Sequence, residues 1–162
     1  MTNTDTHLNP EIRKSLYRQM IRIRKFEEKT HELYKSSKLT GMSPHLCIGE
    51  EASAAGVIST LNKDDYILST HRGHGHCLAK GAEMGKMYAE LFGKETGYCH
   101  GRGGSMHIAD VSMVTLVRMA LSGQGCRLRW ARDCPSKNAK PSKWWYVSSA
   151  TPRPTRVHFM NP

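Results

Sequence analysis

Apolar side chains in the first part of the chain recur at the spacing of one helical face, and charged residues occupy the other positions. The face consists of Ile12, Leu16, Met20, Ile23, Phe26 and Leu33. Asn9, Pro10 and Glu11 precede it, and they supply a capping side chain, a first-turn proline and an acid near the positive end of the helix dipole. The pattern predicts a long helix that begins at about residue 10.

Three shorter elements follow. Residues 50–61 (EEASAAGVISTL) predict a second helix, whose small side chains allow close packing. Residues 66–70 (YILST) predict a short strand after a turn, and residues 83–93 predict a third helix that ends at Gly93. This alternation of helix and strand is typical of the α/β class.

Two glycine- and histidine-rich segments are candidates for chemistry, and both are predicted to be loops. The first, STHRGHGHCLAKG at residues 69–81, directly follows the predicted strand, and ligands bind at strand ends in α/β sheets. Arg72 offers a fork of donors suited to a phosphate. In the second, GRGGSMHI at residues 101–108, glycines free the backbone and His107 is suited to acid–base chemistry.

The first segment also contains the spacing HxxHxH, formed by His71, His74 and His76. A metal site is the less favoured interpretation, because no nearby carboxylate or cysteine set completes a ligand shell. The five cysteines form no CxxC pair, so neither a disulfide framework nor a zinc ribbon is predicted.

The charge is distributed unevenly along the chain. The formal net charge is +10, but residues 1–112 hold 15 Lys/Arg against 13 Asp/Glu, whereas residues 113–162 hold 9 against 1. The composition therefore changes near Ser112. No run of 18 apolar residues and no signal-peptide core is found, so no membrane partner is expected and the cytoplasm is the expected location.

Several motifs between residues 10 and 112 stand together in one order and spacing: YRQMIRIRKFEEKTHELY, PHLCIGEEASAAGV, STHRGHGHCLAKG and MYAELFGKETGYCHGRGGSMHIAD. In this order they resemble the alpha subunit of thiamine-diphosphate-dependent 2-oxo acid dehydrogenases, and most closely the pyruvate and acetoin dehydrogenase branches. The resemblance implies an α/β fold, the N-terminal part of a doubly wound parallel sheet that binds thiamine diphosphate and is incomplete in this chain.

The resemblance also implies an activity and partners. Family members cleave the C–C bond next to a carbonyl and pass the acyl group to lipoamide, which makes them oxidoreductases with a disulfide acceptor. The cofactor supplies the electron sink, and the protein supplies position and electrostatics. The implied partners are a beta subunit, in an alpha-2 beta-2 assembly, and a lipoyl-bearing acyltransferase core, with no nucleic acid.

The resemblance assigns roles in the site to the residues of this chain that occupy the matching positions of the family motifs. His45, His71 and Arg72 match residues that contact the cofactor, although many members have tyrosine at the position of His71. His107 matches a histidine near the reacting centre, and His74 belongs to the same catalytic set with a less defined role. The aspartate and asparagine that hold magnesium in the family are missing from the chain as written, so it has no predicted metal ligand.

The resemblance stops after residue 112, and residues 113–162 are expected to be an out-of-frame, disordered tail. Shifting the reading by one base lets residues 113–125 encode a glycine-rich family stretch, and lets residues 145–162 encode VVCFFGDAATNEGAFHES. Some of these steps allow no choice of codon: Val114 becomes glycine, Trp145 and Tyr146 each become valine, and Asn161 becomes glutamate.

The frameshift predicts an incomplete chain, and one alternative function remains open. A fragment without the later strands is expected to fold poorly, with exposed apolar patches and no activity of its own. The alternative is a small basic non-catalytic protein that binds nucleic acid or an anionic surface through its C-terminal tail.

Overall fold

A computed structural model describes residues 9–39, 43–63, 65–69, 71–109, 115–117, 144–148 and 156–160. Four helices and four strands lie in these segments: α1 (Pro10–Lys35), α2 (Glu51–Ile58), β1 (Tyr66–Ser69), α3 (His74–Lys80), α4 (Met84–Leu91), β2 (Thr115–Val117), β3 (Trp144–Ser148) and β4 (Arg156–Met160). No helix in the described segments is long and apolar enough to cross a membrane.

The first helix begins where the sequence predicts. The Asn9 side chain accepts a hydrogen bond from the Glu11 amide at 2.9 Å, and proline occupies the first turn. The predicted apolar face is buried only in part. Ile23 and Phe26 are 0% and 1% exposed, whereas Ile12 at the N-terminal end of the helix is 47% exposed. The second half of α1 therefore packs against the rest of the described structure more closely than its first turns do.

The predicted helices at residues 50–61 and 83–93 and the strand at 66–70 are confirmed, with slightly shorter bounds. The loop predicted across residues 69–81 is wrong in its second half, which forms α3 and ends at Gly81 in the left-handed conformation (φ 112°). Packing explains the helix, because it buries Cys77 and Leu78. Gly75 fits there since a Cβ would lie 3.0 Å from Cys47 Sγ.

One core cluster joins the helices to the second glycine-rich segment. It contains Ile23, Phe26, Cys47, Ala54, Cys77, Leu78, Ala82, Met87 and Ile108. The ring of Phe26 lies 4.5 Å from that of Tyr88 and meets the His74 ring edge-on at 5.7 Å. Ile108 carries the end of the second segment into this core and so ties it to α1 and α3.

The four strands form one sheet in the order β2-β1-β3-β4. β1 pairs in parallel with β2 and with β3, whereas β4 is antiparallel to β3. The described residues thus combine helices with a mixed sheet, rather than the wholly parallel sheet that was expected. β2, β3 and β4 lie inside the segment 113–162 for which disorder was expected, and most of that segment lies outside the described residues.

Candidate functional site

The carboxyl end of β1 brings together the three residues expected to contact the cofactor. His71 and Arg72 follow the strand, and His45 approaches from the segment that leads into α2. The His45 and His71 rings meet edge-on, with centroids 5.1 Å apart. Arg72 Nη1 donates a hydrogen bond to the Leu46 carbonyl, which ties the strand end to the His45 segment. The cluster therefore has a defined arrangement of two imidazoles and one guanidinium.

The electrostatics of this cluster favour a neutral His71. Burial, then the neighbouring His45 and Arg72, lower the pKa of His71, and Glu50 opposes them in part. Two buried atoms here, His45 Nδ1 and Glu50 Oε2, have no hydrogen-bond partner among the described residues. Buried polar atoms without partners are costly, so each is a candidate contact for a ligand group.

These side chains fit a diphosphate group. The remaining donors of Arg72 suit phosphate oxygens, and the unpartnered His45 Nδ1 is a second polar contact beside them. The Glu50 carboxylate would repel a bare anion, so its free oxygen suits a cation or donor that accompanies the diphosphate. The donors of the cluster are therefore of the type that a diphosphate group requires.

His74 lies in the interior rather than at the site surface. Its side chain is 0% exposed, and its Nδ1 lies 2.8 Å from Oε1 of Glu27, which is itself 0% exposed. Its Nε2 lies 3.0 Å from the carbonyl oxygen of Ser105 and 3.1 Å from its Oγ. Both ring nitrogens are engaged within the chain, and the less defined catalytic role expected for His74 stays a prediction.

Ser105 connects this interior pair to the cluster at the strand end. Its Oγ accepts a hydrogen bond from the His45 backbone amide at 3.0 Å and also lies beside His74 Nε2. A continuous chain of contacts therefore runs from Glu27 in α1 through His74 and Ser105 to His45. Sequence reasoning missed both Glu27 and Ser105. A carboxylate on the buried face of α1, next to Phe26, was the available signal for Glu27.

Cys47 also belongs to the interior pair. Its Sγ lies 3.4 Å from Glu27 Oε1, and the side chain is 2% exposed. Burial, followed by the charge of Glu27, raises the pKa of the Cys47 thiol far above its ordinary value. Cys47 is therefore a protonated donor to the carboxylate and not a nucleophile.

The structure does not assemble the HxxHxH spacing into a metal site. His76 is buried, with Nδ1 2.7 Å from Ser69 Oγ, and burial lowers its pKa to about 4. His71 faces His45, and His74 contacts Glu27. Across the described segments, no group of three or more His, Cys, Asp or Glu side chains is arranged to hold a metal ion.

The second glycine-rich segment wraps around the buried carboxylate of Glu90 and leads to Ser105 and His107. His107 is only partly buried, and its carbonyl oxygen lies 3.2 Å from Cys99 Sγ. The contacts of Ser105 join this segment to His45 and His74. Sequence reasoning identified His107 but missed Glu90, because a glutamate in a predicted amphipathic helix is most often on the exposed face.

Fold and site together define an α/β protein with a cluster of two imidazoles and one guanidinium at the end of its first strand. The chain belongs to the dehydrogenase E1 component family, whose model matches residues 18–124. It is 51% identical over 113 residues to the alpha subunit of acetoin:2,6-dichlorophenolindophenol oxidoreductase of Bacillus subtilis, a match covering 70% of this chain and 34% of that protein.

Two further relatives agree with this assignment. The corresponding alpha subunit of Cupriavidus necator is 45% identical over 121 residues, which cover 75% of this chain and 36% of that protein. The pyruvate dehydrogenase E1 component alpha subunit of Porphyra purpurea is 48% identical over 93 residues, or 57% of this chain and 27% of that protein. The chain thus spans about a third of the length of the two alpha subunits from Bacillus subtilis and Cupriavidus necator.

Proposed function

We propose that this chain is the N-terminal part of the alpha subunit of a thiamine-diphosphate-dependent dehydrogenase of the pyruvate or acetoin type. The observation that carries the proposal is the cluster of His45, His71 and Arg72 at the end of β1, with its unpartnered buried nitrogen. Family membership supports it. When bound, thiamine diphosphate supplies the electron sink for cleaving the bond next to a carbonyl.

Each side chain has a distinct role in this proposal. Arg72 binds the diphosphate through its charged fork, and His45 and His71 complete the contacts on the same side. His107 holds or moves a proton near the reacting carbonyl, as a general acid or base. His74 positions Ser105 and thereby His45, and does not itself touch substrate.

The remaining parts of the proposal concern the assembled enzyme. The fold is the first part of a doubly wound thiamine-diphosphate-binding domain, in which ligands bind at the carboxyl ends of parallel strands. The acyl group passes to lipoamide on an acyltransferase core, a beta subunit completes an alpha-2 beta-2 enzyme, and the location is the cytoplasm. Magnesium accompanies the diphosphate, and its aspartate and asparagine ligands come from sequence that residues 113–162 do not supply.

Activity is tested with the complete reading frame. An alpha subunit that contains residues 1–112 followed by the restored frame is co-expressed with its beta subunit. Thiamine-dependent reduction of lipoamide or of dichlorophenolindophenol is then measured with pyruvate and with acetoin. We expect activity with one of these substrates, and its loss on Arg72→Ala. An assembled tetramer that binds thiamine diphosphate but processes neither substrate class would contradict the proposed reaction.

We also propose that residues 113–162 are read out of frame. The charge changes abruptly near residue 112, and the family match ends at residue 124 of a chain of 162. Resequencing the gene from codon 105 to beyond codon 162 tests this. We expect a neighbouring frame that continues through Gly-Asp-Ala-Ala-Thr-Asn-Glu. An intact frame without that continuation would make the tail genuine, and salt-dependent DNA binding would then favour the basic binding-protein alternative.

A further inference from the structure

The carboxylate of Glu90 lies in the interior at the end of α4, where the side chain is 1% exposed. Four backbone amides donate to it. Cys99 and Gly101 donate to Oε2 at 2.7 and 2.9 Å, and Gly103 and Gly104 donate to Oε1 at 2.7 and 3.1 Å. A carboxylate carries about four lone-pair sites, so these amides match its full acceptor capacity.

The glycines of this segment let the backbone approach closely on two sides. A Cβ on Gly97 would lie 2.6 Å from the backbone nitrogen and Cα of Glu90. A Cβ on Gly103 would lie 2.7 Å from the carbonyl oxygen of His107. The turn that contacts the carboxylate therefore also contacts the backbone of His107. A change at Glu90 that displaces the turn would also displace His107.

We propose that Glu90 is a positioning residue of the site. Its carboxylate fixes the backbone of residues 99–104 and so sets the placement of Ser105, which bonds His45 and His74, and of His107. The proposal rests on the proposed function only for the proton-transfer role of His107. The organisation of the turn by Glu90 is a property of the chain itself.

A neutral amide of the same shape cannot replace the carboxylate. Glutamine offers one acceptor oxygen, and its NH2 group would face two of the four backbone donors. Leaving buried donors unpaired costs more than the loss of an exposed hydrogen bond. Glu90→Gln therefore keeps the volume of the side chain and removes half of the anchoring. Glu90→Asp keeps the charge but shortens the reach by one methylene group.

The test measures amide hydrogen exchange and the ring resonances of His107 by NMR in the intact 162-residue chain. For Glu90→Gln we expect the amides of Cys99, Gly101, Gly103 and Gly104 to exchange about tenfold faster or more. We expect the His107 ring resonances to shift, while the amides in the second half of α1 keep their protection. Glu83→Gln is the matched control, because it removes the same charge from an exposed residue at the start of α4.

The Asp variant keeps the test decisive if the Gln variant does not fold. We expect it to retain the fold and to give exchange rates in the turn between those of the wild type and those of fully exposed amides. Unchanged exchange in the turn would overturn the proposal. In the Asp variant, a parallel loss of protection in α1 would also overturn it, because Glu90 would then support only global stability.

Thiamine diphosphate titration of the same samples separates the two proposals. If the turn loosens as expected but the wild-type chain shows no response to thiamine diphosphate, the proposed cofactor site fails and the positioning of the turn by Glu90 stands. If the ligand binds and Glu90→Gln leaves the turn and His107 unchanged, the positioning role fails and the cofactor site stands.

Discussion

Residues 71–80 and residues 97–107 are both rich in glycine and histidine, yet they fold on different physical grounds. The first segment becomes α3, and its buried histidines are held by side chains, with His74 on Glu27 and His76 on Ser69. The second has no regular secondary structure, and its backbone amides converge on one carboxylate, that of Glu90. Two segments that are both rich in glycine and histidine are therefore organised differently, the first through its side chains and the second through its backbone.

The difference shows where a histidine remains available for chemistry. Buried histidines in α3 are occupied by partners, while His71, just before the helix, and His107, after the turn, remain partly exposed. In each segment, a buried carboxylate from an earlier helix accepts hydrogen bonds that hold the residues in place. The candidate site thus depends on two glutamates, Glu27 and Glu90, that touch no ligand in the proposed arrangement.

The largest expected effect comes from breaking the side-chain anchor of the first segment. His74→Ala leaves the buried Glu27 carboxyl with only the weak Cys47 thiol donor and opens a cavity, so we expect a loss of about 3–5 kcal/mol in the free energy of unfolding. Chemical denaturation measures it. Lys29→Ala is the control, because it removes an exposed pair with Glu32 and should cost about 0.5 kcal/mol or less. A similar small cost for both variants would contradict the anchoring role of Glu27.

The second effect is a pH dependence that originates in His76. Its pKa is about 4 in the folded chain against an ordinary 6.5, so the unfolded chain binds the extra proton between these values. The stability from this residue is complete above about pH 6.5 and is lost as the pH falls toward 4, by roughly 3 kcal/mol in total.

Denaturation between pH 4 and pH 7 checks this dependence. In His76→Gln we expect the slope of stability against pH to fall by about 1.4 kcal/mol per pH unit within that window. His31→Gln is the control, because His31 is exposed. Equal slopes in the wild type and in both variants would show that His76 does not titrate as proposed.

The third effect breaks the backbone-organised segment. Gly101 has φ +72°, and a Cβ there would lie 2.3 Å from the carbonyl carbon of Gly93. We expect Gly101→Ala to lower the free energy of unfolding by about 1–3 kcal/mol and to expose amides in the turn. Gly56→Ala is the matched control. It lies in α2 with nothing within 4 Å of its Cβ position, so it should stabilise by about 0.5–1 kcal/mol. Destabilisation by both substitutions would contradict this distinction.

The smallest effect concerns the turn that leads into α2. Arg24 Nε donates to Glu51 at 2.7 Å, and the same carboxylate accepts from the Gly49 amide at 3.0 Å. Because Arg24 is exposed, we expect Arg24→Gln to lower the free energy of unfolding less than the three variants above, and less at high salt than at low salt. The free energy of unfolding, measured at low and high salt, checks this. A cost of several kcal/mol that salt does not change would indicate a buried role for Arg24.

The helices and strands could be predicted from the sequence more accurately than the hydrogen bonds in the interior. The start of α1 follows from Asn9 and Pro10, since capping is a local property. The helix α3 was missed because burial of Cys77 and Leu78 overrides the weak helix propensity of glycine and histidine. Tertiary packing, which a single sequence does not display, decides such segments.

The same limit applies to the site. The cluster of His45, His71 and Arg72 was predicted through family resemblance, and the structure brings these residues together. The partners Glu27 and Glu90 were missed because long-range hydrogen bonds leave no periodic pattern in the sequence. The partners of His74, which lie 31 and 47 residues away in the chain, were missed for the same reason, and its catalytic role stays a prediction from the family resemblance.

The most direct test of the account is a titration of the 162-residue chain with thiamine diphosphate and magnesium, followed by NMR at His45, His71 and Arg72. We predict shifts at these residues with weak, about millimolar affinity, because the family's magnesium ligands are missing. We predict that Arg72→Ala abolishes the shifts and that Arg102→Ala, at an exposed arginine, leaves them unchanged. Absent shifts, or shifts that survive Arg72→Ala, would contradict the proposed diphosphate site. Tight binding would contradict the proposed loss of the magnesium ligands.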